Sequence, residues 1–81
     1  MKVTLAQAKS MMARFSVDPL FISPSLFRKA MNIELEHGRR HRATNVTGDS
    51  LIKTAQIVIA HLLESPRYYQ ELIKMEKKLG I

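Results

Sequence analysis

The run Thr54-Ala55-Gln56-Ile57-Val58-Ile59-Ala60-His61-Leu62-Leu63 is the most apolar stretch of the chain, and it limits the fold more than any other feature. At ~100° per residue, Leu51, Ala55, Val58, Ile59 and Leu62 share one helical face, and Ile52 and Leu63 widen it. Ile57 and Ala60 fall on the far side, so the helix is apolar nearly all round. A helix of that kind needs neighbours on several sides and belongs in the middle of a small domain.

The flanking segments supply those neighbours. Thr4 followed by Gln7 has the spacing of a capping box, and Leu5, Ala8, Met11, Met12 and Phe15 then form one stripe. Asp18-Pro19 lies in a connector without helical period, from which Phe21 is expected to tuck under the core. Ser23-Pro24 is a second helix start, with serine as cap and proline at the first helical position. Gly38 is its expected stop. The central helix takes Asp49 as cap, with Thr47 competing, and ends at Glu64 because Ser65-Pro66 repeats the serine-proline start. The last stripe is Tyr68, Tyr69, Leu72, Ile73, Met75 and Leu79, closed by Gly80. The predicted fold is all-α, a compact single-domain bundle of about four helices, roughly 4–15, 24–37, 50–64 and 66–79, around the central apolar helix.

Composition narrows the chemistry. The 81 residues include no cysteine, which excludes a disulfide framework, a thiolate nucleophile and thiolate zinc ligands. No apolar run approaches the ~20 residues that span a bilayer, and Met1 to Gln7 lacks the apolar core of a signal peptide. A cytoplasmic protein without membrane contact is expected. The formal net charge of +6 favours acidic partners.

Two groups of residues carry candidate chemistry. Leu26, Phe27, Ala30, Met31, Ile33 and Leu35 span the inner arc of the second helix, and Glu34 and His37 fall inside the same arc. A carboxylate and an imidazole turned inward need partners. With His61 they are the materials of a metal site or an acid/base pair, Asp49 and Tyr68 being outer members. The plainer reading is a buried polar network of Glu34, His37, Asp49, His61 and Tyr68 that fixes helix register. An antiparallel pairing of the second and central helices puts His37 near Asp49. His61, about 15–18 Å further along, then lies nearer the start of the second helix. Of Tyr68 and Tyr69, which point about 100° apart, one belongs in the core and the other at its margin.

The second group is basic. Arg39, Arg40 and Arg42 form one patch with His41, and Lys74, Lys77 and Lys78 form another. Such cations bind phosphate in a salt-dependent way, or simply complement the negative ends of two helix dipoles. A helix-turn-helix reading makes Pro66 to Leu79 a recognition helix presenting Arg67, Gln70 and Lys74.

The block Phe27-Arg28-Lys29-Ala30-Met31-Asn32-Ile33-Glu34-Leu35-Glu36-His37-Gly38 resembles the opening of a small family of uncharacterised helical domains associated with bacteriophages, large DNA viruses and environmental bacteria. Thr44-Asn45-Val46-Thr47-Gly48-Asp49, Lys53-Thr54-Ala55 with Ala60-His61-Leu62, and Glu64-Ser65-Pro66 with Tyr68-Tyr69 are similar to its later blocks. Arg39, Arg40 and Arg42 depart from the acidic or neutral residues that relatives often carry there, and Ser50 replaces a second acidic residue. The resemblance implies a small helical domain of phage or viral association, inside a host cell or virion, and brings no activity with it. The expectation is a non-catalytic basic accessory module without cofactor, binding nucleic acid or an acidic protein face. The alternative is a metal-binding or acid/base site on Glu34, His37 and His61.

Overall fold

The computed structural model describes residues 2–40 and 50–80, with Arg39 and Arg40 described by their backbone alone. Four α-helices follow in order: α1 (Leu5–Arg14), α2 (Pro24–Arg40), α3 (Leu51–Glu64) and α4 (Tyr68–Leu79). The chain is a single all-α domain. The apolar helix α3 packs against each of the other three, and α1 with α2 makes the most extensive pairing.

Short hydroxyl side chains start three of the helices. Thr4 Oγ1 accepts from Gln7 N–H at 3.1 Å, and Gln7 Oε1 accepts from Thr4 N–H at 2.9 Å, so both halves of the capping box are present. Ser23 Oγ accepts from Leu26 N–H at 3.1 Å. At α3 the cap is Ser50, whose Oγ accepts from Lys53 N–H and whose carbonyl accepts from Thr54 Oγ1 at 2.6 Å. Ser50 therefore replaces the expected Asp49 or Thr47, both of which lie outside the described residues.

Two helix ends differ from expectation. The stop predicted at Gly38 does not occur, and α2 continues to Arg40 with Gly38 buried. Glycine within a helix costs only about 1 kcal/mol relative to alanine, and cations at the C-terminus offset part of that. Nor does Ser65-Pro66 open α4. Ser65 ends α3, and its carbonyl accepts from Tyr68 N–H at 3.0 Å. Pro66 thus occupies the second position of a tight turn whose third residue, Arg67, has φ −103° and ψ 12°. Proline's fixed φ suits that turn as well as it suits a first helical position, and α4 begins two residues later than the serine-proline pattern indicates.

Between α1 and α2, Ser16 adopts φ 55°. Ser16 N–H donates to Ala13 O and Val17 N–H to Met12 O at 2.8 Å, the double closure that ends many helices in a left-handed residue. The Asp18 carbonyl then accepts from both Phe21 and Ile22. That turn carries Ile22 inward and leaves Phe21 53% exposed, so Ile22 takes the place expected of Phe21.

The core joins Ala8 and Met12 of α1, Phe27, Ala30, Met31 and Leu35 of α2, Ala55, Val58 and Leu62 of α3, and Tyr69 of α4. On the outer side of α3 Ile57 is half-buried and Ala60 exposed, and Leu63 is 81% exposed. Val3, in the segment before α1, is buried and tied to α2 by a two-point clamp. Its N–H donates to Asn32 Oδ1 at 2.7 Å, and its carbonyl accepts from Asn32 Nδ2 at 3.2 Å. Asn32→Ala leaves both Val3 groups without that partner and should lower stability by about 1–3 kcal/mol. Urea unfolding together with faster amide exchange at Val3 would show it; an unchanged midpoint would refute the clamp.

Candidate functional site

The tight turn after Ser65 folds the start of α4 back over the last turn of α3. Tyr68 consequently stacks on His61, with ring centroids 4.5 Å apart and planes 6° from parallel. Tyr69 stands edge-on to both rings, 4.9 Å from Tyr68 and 6.2 Å from His61. Its ring is fully buried, while Tyr68 is half-buried at the margin of the core.

Glu34 reaches this aromatic group from α2. Its Oε2 accepts the Tyr69 hydroxyl at 2.7 Å and lies 3.5 Å from His61 Nε2. The Glu34 side chain is 11% exposed and the His61 side chain 33%. Burial raises the Tyr69 pKa far above the ordinary phenol value, and the hydrogen bond to Glu34 and that residue's charge raise it further. The phenol is thus held as a permanent donor to the carboxylate.

This meeting of Glu34 with His61 departs from the antiparallel pairing expected above, which puts His61 near the start of α2. Helical periodicity shows which residues face inward but not where two helices cross. His37 is corrected too: it is exposed. The buried stripe of α2 runs through Phe27, Met31 and Leu35 to Gly38, and His37 sits about 100° round from Gly38. Asp49 lies outside the described residues. Among the described residues no three His, Asp or Glu side chains are grouped to hold a metal ion, so Glu34, His37 and His61 do not form that ligand set. What does form is a carboxylate beside a partly exposed imidazole, with two tyrosines bracing it. Tyr69 supplies the strongest contact, although the sequence reading gave the outer role to Tyr68.

Lys74, Lys77 and Lys78 are exposed on α4. Arg39 and Arg40 continue the backbone of α2, their side chains and all of Arg42 lying outside the described residues. Lys77 also forms part of a groove of about 790 Å³ between α2, α4 and the N-terminal segment. Lys2, Arg28 and Lys29 line it with Lys77, above a floor that includes Ile33, Leu35 and Ile73. Arg28, Lys29, Asn32 and Glu36 fall outside the inner arc of α2 by helical period, which does not set them opposite α4. Gln70 of the helix-turn-helix reading is half-buried, with its Oε1 enclosed and without a hydrogen-bond partner, so it is not presented outward as that reading requires.

Among the described residues no helix is long and apolar enough to cross a membrane. A family model described as "Protein of unknown function (DUF5661)" matches residues 4–78. Comparison with curated proteins and with solved structures gave no match.

Proposed function

The chain belongs to this family of proteins of unknown function, and we propose from its own residues that it is a non-catalytic basic module that docks an anionic macromolecular partner. The observation that carries the reading is Lys77, which stands with Lys74 and Lys78 on exposed α4 and also lines the groove beside Lys2, Arg28 and Lys29. Cations drawn from three chain segments into one concave surface raise the local concentration of an anionic ligand more than the same charges scattered. The net charge of +6 acts in the same direction at longer range. The resemblance to domains associated with phages and large DNA viruses is what suggests an accessory role in that setting, within a host cell or a particle.

Anionic docking predicts binding that weakens steeply with salt. A labelled DNA duplex, a labelled single strand and polyglutamate are the probes, followed by fluorescence anisotropy from about 50 to 200 mM salt. At least one should bind, and the Lys74→Glu/Lys77→Glu/Lys78→Glu variant should bind it at least about tenfold more weakly. Retention of none at low salt would end the reading.

A further inference from the structure

We infer that the groove between α2 and α4 receives an acidic amphipathic peptide segment of a protein partner, rather than a nucleic-acid strand. The inference rests on the anionic-docking reading and chooses between its two partner classes. Among the described residues four cations line the groove, and Glu36 and Glu76 line it with them. A nucleic-acid backbone carries negative charge at every phosphate and meets those carboxylates unfavourably. A peptide can place its own acids against Lys2, Lys29 and Lys77 and leave neutral residues opposite the glutamates.

The floor points the same way. Ile33 and Ile73 are half-buried, and both line the groove between the cations. Among the described residues no aromatic ring lines the groove, and these residues offer no stacking platform of the kind that holds single-stranded bases. Phosphate contacts to a duplex make no use of an apolar floor. An amphipathic helix or extended segment uses floor and rim together, its apolar side chains entering between α2 and α4 while its carboxylates meet the cations. A volume of about 790 Å³ seats a few such side chains. One wall is positioned by the core of α2, and Lys2 is held at the rim by the neighbouring Val3–Asn32 clamp.

The test uses the full chain and a labelled helical peptide with leucines at i, i+3 and i+7 and glutamates elsewhere. It is compared with polyglutamate, duplex DNA and single-stranded DNA. The peptide should bind more tightly than polyglutamate, and Lys29→Glu/Lys77→Glu should weaken it at least about tenfold. Lys74→Glu/Lys78→Glu, outside the groove, should weaken it much less. Circular dichroism establishes that each variant keeps its helices. The inference is overturned, with anionic docking intact, by any of three results: DNA binding in place of the peptide, equal affinity for polyglutamate, or indifference to the groove variant. Failure of every anionic probe overturns both.

Discussion

Tyr69→Ala is expected to remove about 3–5 kcal/mol of stability, the range for emptying a fully enclosed aromatic site. At 0.05–0.15 kcal/mol per residue the whole domain has about 4–12 kcal/mol, so the variant loses from about a quarter to all of that margin, read as a lowered urea midpoint. Tyr69→Phe separates ring from hydroxyl. It keeps the edge-on packing against Tyr68 and His61 but deprives Glu34 Oε2 of its 2.7 Å donor. A hydrogen bond to a charged group contributes roughly 1.5–3 kcal/mol, and the loss should lie in that range.

The same hydroxyl gives a signature in pH. Its folded pKa is raised above the ordinary value of about 10. Below that pH the phenol is protonated in both states, and its contribution is fully present. Above it the unfolded chain releases a proton that the folded chain retains, so stability falls by about 1.4 kcal/mol per pH unit. Urea midpoints measured from about pH 8 to 11 should show this decline in the native chain and a shallower one in Tyr69→Phe. Parallel curves would refute the buried phenol–carboxylate bond.

Phe27→Ala is expected to cost a similar 3–5 kcal/mol, and to lower the melting temperature by at least about 12 °C. Phe27 is completely enclosed in the core formed by the four helices. Phe21→Ala is the matched control: the same change at a ring more than half exposed should stay within about 0.5 kcal/mol. A thermal melt of the two variants reads the difference directly. Equal shifts would mean that Phe27 is not an anchor of the core.

Local chemistry was the most legible part of this chain. Thr4 with Gln7 and Ser23 with Leu26 make their bonds within three residues, so capping-box spacing identified the first start and the serine-proline pair the second. Ser65-Pro66 has the same composition as Ser23-Pro24, but proline's φ serves a turn or a first helical residue equally well. Only the chain's need to return along α3 distinguishes the two. Gly38 misled for a related reason, since glycine ends a helix only where the backbone turns left-handed, as at Gly80 with φ 75°. Periodicity located Glu34 on the inner side of α2. Its pairing with Tyr69 and His61 depends on where three helices cross, which no window of one helix contains. The groove was hidden for the same reason, since Lys29 and Lys77 are far apart in sequence.

The way α4 is attached has a mechanical consequence. Tyr69, in its first turn, is its one fully buried residue, and toward the other end Met75 and Leu79 are 53% and 65% exposed. The helix is a cantilever, riveted at its root to Glu34, steadied by Leu72 against the core and less covered beyond. Opening the overhang takes far less free energy than unfolding the core. Because Ile73, Glu76 and Lys77 ride on that span, the distance from Lys77 to the α2 cations is a soft coordinate. A guest of the proposed site would thus meet a wall that yields before the interior does.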